Sequence, residues 1–270
     1  MIATPPTVDR ESWNAELAEL RIREKAHTRE GDAIAAARRR LPMVEVDPAT
    51  PLVGGNGTAS LLDTFEGRTQ LLAYYHMWYT GRPAAEQCEG CTLITGQVTE
   101  LSYLHSRDVT FAVFCQGPFD ESSRYREFMG WDMPWYAVPE ASKERLLAGR
   151  HFGMIVCYLR DGERVFETYW STGRGTEVMG SSYPMLDMTV YGRQEVWEDS
   201  PAGWPQRFFN TASAQMRTDA DGRAVNRPDG RPISQWSRLA PGRSDDLGST
   251  AAPASTTATE TGDDKDRGRA

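Results

Sequence analysis

The chain has 270 residues and a formal charge of -8, long enough for one substantial core with tails or an added subdomain. The acidic balance excludes a general nucleic-acid binder, which needs a broad basic face to meet phosphates. No apolar run approaches the roughly 20 residues that a membrane helix needs, and Met1-Ile2-Ala3-Thr4-Pro5-Pro6 has no secretory apolar region, so the expectation is a cytoplasmic protein without membrane association.

Asp9 to Arg39 is helical by composition, with Trp13, Leu17, Leu20 and Ile22 supplying apolar contacts among charges and alanines. Gly31-Asp32 predicts a division into two helices, because glycine weakens a helix interior and aspartate suits a cap. Leu41-Pro42 ends this arm. Arg38-Arg39-Arg40 reads as a solvated helix end whose cations suit the negative dipole terminus. Met43 to Val46 alternates as a short strand should, and Asp47-Pro48 begins a turn. Gly54-Gly55-Asn56-Gly57 lacks both the ending of a phosphate loop and the spacing of a dinucleotide fingerprint, and predicts a tight hairpin. Thr58 to Phe65 reads as a short helical turn.

Leu71 to Trp78 and Val109 to Cys115 are continuous apolar runs of the kind found in strands covered on both faces. Asp120-Glu121-Ser122-Ser123 caps a helix that ends near Gly130. Pro134 to Val138 reads as a short strand and Lys143 to Ala148 as a short helix. Met154 to Leu159 and Arg164 to Trp170 form an antiparallel hairpin split by Asp161-Gly162. Gly175 to Arg193 predicts a helix and a connection, interrupted by Pro184. The alternation of strands and helices gives an α/β fold with a central mixed sheet flanked by helices. Its organisation is a helical arm at 1–40, a core domain at 41–200, an irregular extension at 201–240 and a disordered tail at 241–270, where Ser, Thr, Ala, Gly and charge dominate.

Four cysteines are too few for a disulfide scaffold of this size, and one pair is close in sequence: Cys88-Glu89-Gly90-Cys91. It follows a buried strand and opens a helix whose Ile94, Val98 and Leu101 make one apolar stripe. Cys88 at a helix N-terminus sees the partial positive charge of unpaired amides, which favours the nucleophilic thiolate. Cys88 would attack and Cys91 would resolve the mixed disulfide. Thiol redox chemistry of this kind implies no cofactor, and a thiol or disulfide substrate or reductant as partner.

Two other readings stand beside it. His76, at the end of the preceding strand, could carry a proton or join Cys88 and Cys91 as a third ligand for copper or zinc. The pair could instead sit silent in an interaction scaffold. Cys115 and Cys157 lie singly in apolar runs and read as buried core thiols. Trp78 flanks the cysteine loop, and Trp131, Trp135 and Tyr136 could form an apolar wall or pack the core. Arg174, in the loop Ser171-Thr172-Gly173-Arg174-Gly175, could bind an anion or be a plain surface residue. The arm and exposed aromatics fit a homodimer.

Several segments read together give a resemblance. They are Arg40-Leu41-Pro42, the run Ser60 to Arg68, Cys88-Glu89-Gly90-Cys91, Met129-Gly130-Trp131 with Pro134-Trp135, Tyr158 to Gly162, and Leu186-Asp187 before Gly192-Arg193. From about Arg10 to Trp204 the chain resembles the bacterial thioredoxin-like family catalogued as domain of unknown function 899. The resemblance implies a fold similar to the peroxiredoxin branch of thioredoxin-like proteins, with the cysteine pair at the first core helix, and no established reaction. The chain departs from the wider superfamily twice. Phe152-Gly153 stand before Met154 where thioredoxins carry a cis-proline that helps dock a partner's sulfur. Ala85 stands three residues before Cys88 where peroxiredoxins carry a threonine that orients peroxide.

Overall fold

A computed structural model describes residues 3–82, 84 and 87–206, together with the backbone of 208–211, 214–218 and 224–225. The chain opens with one helix of 29 residues, α1 (Arg10–Arg38), capped by the Asp9 carboxylate, which accepts the Ser12 N–H at 2.8 Å. The break expected at Gly31-Asp32 does not occur. An interior glycine costs a helix about 1 kcal/mol relative to alanine, and the alanine-rich turn that follows keeps the helix going. No residue of α1 is buried. It is tethered near its ends, where the Tyr191 hydroxyl donates to the Ala3 carbonyl at 3.1 Å and the Arg38 guanidinium lies over the Tyr169 ring.

An eight-stranded sheet follows, made of β1 (Val44–Val46), β2 (Pro51–Gly54), β3 (Gly57–Ser60), β4 (Gln70–His76), β5 (Val109–Cys115), β6 (Trp135–Ala137), β7 (Met154–Asp161) and β8 (Arg164–Thr172). Its order is β1-β8-β7-β4-β5-β6-β2-β3. The glycine-rich segment is the hairpin it was expected to be, with Gly54 opposite Gly57 in the β2–β3 ladder. Thr58, expected in a helical turn, lies in β3; only Asp63–Phe65 makes a turn of 3-10 helix. β5 pairs in parallel with β4 and β6, whereas β7 runs antiparallel to β4 and β8.

The helices α2 (Glu89–Gly96), α3 (Ser102–His105), α4 (Phe119–Met129) and α5 (Glu140–Leu147) are the crossovers and connections of this sheet. A parallel β4–α2–β5 unit with an antiparallel β7–β8 hairpin on the other flank of β4 is a thioredoxin-like arrangement. The pleat divides the core in two, because successive side chains of a strand point to opposite faces. Tyr74, Phe111 and Val113 pack with Cys91, Ile94, Tyr125, Trp131 and Trp135 on one face. Tyr75, Ala112 and Phe114 pack with Phe65, Leu146 and Val156 on the other. Both central strands are thus covered on both sides, which is why they read as unbroken apolar runs.

Other expectations needed correction. The helix after the cysteines stops at Gly96, and Val98 and Leu101 reach the core from the segment beyond it. Pro184 does not interrupt its helix. It occupies the first turn of α6 (Ser182–Asp187), where its missing N–H has no helical acceptor to lose. Cys115 is fully buried as expected, whereas Cys157 on β7 is half-buried against the same core. Part of the extension expected to be irregular forms a small antiparallel sheet of β9 (Phe208–Thr211), β10 (Ala214–Thr218) and β11 (Ala224–Val225). The tail at 241–270 lies outside the described residues. Among the described residues no helix is long and apolar enough to cross a membrane.

Candidate functional site

The C-terminal end of β4 and the start of α2 meet at the cysteine pair. Cys88 is the cap residue of α2, and its sulfur accepts the Cys91 N–H at 3.4 Å. The two sulfurs stand near 3.3 Å apart without a disulfide, well beyond the S–S bond length of about 2.05 Å. A hydrogen bond from the Cys91 thiol holds the Cys88 thiol below its ordinary pKa, aided by the N–H groups of Cys91 and Gly90 and opposed by burial and by the Glu89 charge. Cys91 moves the other way: burial, then the hydrogen bond and charge of Cys88, push it well above its ordinary value. Neighbouring identical groups thus lose their protons in a set order, Cys88 first.

Cys91 is fixed from the strand side. The Met77 N–H donates to its sulfur at 3.4 Å, and the hydroxyl of buried Tyr74 donates to it as well. Met77 follows β4 directly, and its thioether sulfur lies 4.0 Å from the Cys88 sulfur. Behind it is Gly153, with φ at +89°, where a Cβ would stand 3.4 Å from that thioether sulfur. In place of the superfamily's proline, the Gly153 N–H donates to the Tyr75 carbonyl at 2.6 Å, and this loop is the seat of Met77. Ala85, the other departure, lies outside the described residues.

The loop between Met77 and Cys88 is held by buried polar groups. Trp78 packs on Tyr125, and its Nε1–H donates at 2.8 Å to Glu121, which also accepts the Gly81 N–H at 2.8 Å. Gly117 is obligatory beneath Trp78, because a Cβ there would come within 2.0 Å of the indole ring. Gln87, buried just before Cys88, accepts the Tyr79 N–H and donates to the carbonyls of Tyr79 and Arg82. Thr92 on α2 donates to the Cys88 carbonyl at 2.9 Å, and Tyr125 donates to the Thr92 hydroxyl at the same distance.

Of the residues singled out from sequence, Cys88, Cys91 and Trp78 come together here. Trp131 and Trp135 stack at 5.9 Å on the same side of the sheet, with Trp135 donating to Ser122 at 3.0 Å; both are core packing, and Tyr136 belongs to the opposite face. His76 is fully buried, yet it does not complete a metal trio with Cys88 and Cys91. Its Nδ1–H is bound to the Met77 carbonyl at 2.7 Å, and its ring lies among Tyr74, Trp131 and Trp135. Burial pushes its pKa down to about 4, so the ring is neutral at physiological pH. No group of three or more His, Cys, Asp and Glu side chains among the described residues is placed to hold a metal ion. Arg174 is taken up by Glu177 at 3.1 Å and by the Trp197 ring 4.1 Å below it.

Tyr74, Met77, Gln87 and Glu121 escaped the sequence reading. Tyr74 and Met77 left a trace there only as members of the apolar run that ends beside the cysteine loop, and Glu121 only as a helix-cap residue. Their places in the site, like that of Gln87, come from contacts across loops and strands.

A model of the family described as bacterial protein of unknown function, DUF899, matches residues 2–217. No curated protein matches the chain. Among solved structures, it is similar to the peroxidoxin BcpB from Mycobacterium tuberculosis, at 14% identity and a TM-score of 0.33, covering 48% of this chain and 86% of the other. A putative thiol:disulfide interchange protein DsbE from Chlorobium tepidum gives 14% and 0.33, covering 51% and 94%. A cysteine-to-serine mutant of the peroxiredoxin 6 of Arenicola marina gives 11% and 0.35, covering 68% and 95%.

Proposed function

Because the chain belongs to DUF899, a bacterial family of unknown function, its chemistry has to be read from its own site, and we propose that it is a thiol-disulfide oxidoreductase. The Cys88 thiolate attacks one sulfur of a substrate disulfide; a mixed disulfide forms and the first substrate thiolate leaves. Cys91 then gives up its proton and attacks the Cys88 sulfur. The Cys88–Cys91 disulfide closes, and the second substrate thiolate departs and takes the proton. Two electrons pass from the dithiol to the substrate, and an external thiol system restores the pair.

The observation that carries this reading is the split between two adjacent thiols. Cys88, at the helix start, is held toward thiolate by Cys91. Cys91, enclosed by Tyr74 and Met77, keeps its proton until it is needed. Equilibration in glutathione buffers, with the pair quenched by alkylation and weighed by mass spectrometry, tests the proposal. A reversible two-electron transition confined to Cys88 and Cys91 is expected. If no buffer in the usual range oxidises the pair, the proposal fails. The Cys91→Ser protein isolated from cells should carry a partner trapped on Cys88, which would name the substrate.

A further inference from the structure

We infer that the reduced site is also a binding site for a soft monovalent metal ion, Cu(I), held by three sulfurs: the thiolates of Cys88 and Cys91 and the thioether of Met77. The inference shares the cysteine pair with the redox reading and does not depend on that pair ever being oxidised.

Three features carry it. The first is convergence: Met77 Sδ lies 4.0 Å from Cys88 Sγ, and Cys91 Sγ stands near 3.3 Å from Cys88 Sγ. Three sulfurs around one ion at metal–sulfur bonds of about 2.3 Å lie roughly 4.0 Å apart in a trigonal plane, so the Met77–Cys88 edge already has the required length and the Cys88–Cys91 edge opens by several tenths of an ångström. The second is the choice of atoms. Thiolate with thioether selects Cu(I) over the harder divalent ions, and no carboxylate or imidazole stands in the set, since His76 is bound to the Met77 carbonyl. The third is preorganisation. The Met77 N–H fixes Cys91 at 3.4 Å, and the backbone at Gly153 lies directly behind the thioether, so the ligands are positioned before the ion arrives.

Binding releases two thiol protons and leaves a complex of one Cu(I), two thiolates and a neutral thioether, with a net charge of minus one. Met77 is half-buried and Cys88 is 7% exposed, so the ion enters over the thioether. The shallow ligand is also the weakest, which suits a site that passes its metal on.

The test is titration of the reduced, full-length protein with Cu(I) against a chromophoric Cu(I) chelator. One ion per chain is expected, with three sulfurs at about 2.3 Å in the copper X-ray absorption spectrum. Met77→Leu keeps the volume of the side chain and should bind at least about tenfold more weakly. The inference is overturned by wild-type binding no tighter than that of Cys88→Ser, or by Met77→Leu binding as tightly as wild type. A two-sulfur spectrum does the same even if Met77→Leu folds poorly. Cu(I) binding by a pair that glutathione never oxidises would sink the redox proposal and leave this one standing.

Discussion

Cys91 holds the sulfur of Cys88 in two ways, through its backbone N–H at 3.4 Å and through its own thiol. The backbone contribution is fixed by the helix start, and the thiol contribution vanishes on substitution. Cys91→Ala should therefore raise the pKa of Cys88, while Cys91→Ser, which keeps a donor, should raise it less. The pH dependence of iodoacetamide alkylation reads this directly. Wild type should give a midpoint below the value of about 8.5 for an unperturbed cysteine, and an unshifted midpoint in Cys91→Ala would show that the thiol contact contributes nothing.

His76 makes the fold sensitive to mild acid. Its folded pKa is pushed down to about 4 by burial, below an unfolded value of about 6.5. The neutral ring's stabilisation is therefore fully present above pH 6.5 and is lost as the pH falls toward 4. Linkage puts the loss at roughly 3 kcal/mol. Urea denaturation of wild type and His76→Leu across that range checks it. The variant should start less stable and lose less on acidification, and parallel curves would refute the assignment.

Glu121 satisfies two donors in a dry environment, the Trp78 indole and the Gly81 amide. Glu121→Ala strands both, a cost of about 1–3 kcal/mol. Because both donors belong to the loop between β4 and α2, amide hydrogen exchange should rise there before it rises in β4 or β5. Glu121→Gln, which keeps one acceptor oxygen, should recover part of the loss.

Gly117→Ala places a methyl group 2.0 Å from the Trp78 ring. The ring has to move, and overpacking of this kind costs roughly 1–3 kcal/mol. Near-ultraviolet circular dichroism should report the displaced indole, with a lower midpoint in denaturant. Gly31→Ala, in the open middle of α1 where an added Cβ meets nothing within 4 Å, should instead be neutral or stabilising.

The sequence disclosed those parts of the fold that repeat locally. Leu71 to Trp78 and Val109 to Cys115 announced the two central strands because both of their faces are buried, and Asp161-Gly162 announced the hairpin because its turn chemistry is short-range. Cys88 was legible as a helix-start thiol for the same reason. Cys91 and Trp78 were legible beside it, but Tyr74 and Glu121 were not, because their roles are long-range. Glu121 reaches Trp78 across 43 positions, and Tyr74 meets Cys91 only because α2 folds back over β4. His76 misled for a physical reason: nearness along the chain put it beside the pair, but its Nδ1–H found the adjacent Met77 carbonyl and its ring turned into the tryptophans. Gly31 misled because a single weak position cannot outvote a whole helix.

Met77 performs separable duties. Its N–H orients Cys91 and its carbonyl fixes His76, and these are main-chain functions that any amino acid other than proline can supply. Only the side chain touches Cys88. The surroundings of the reactive sulfur can therefore be rewritten by changing one side chain while the scaffold that aims the pair stays as it is. In evolutionary terms, position 77 is a dial: homologous chains could share one dithiol geometry and differ, through that residue alone, in what the dithiol holds.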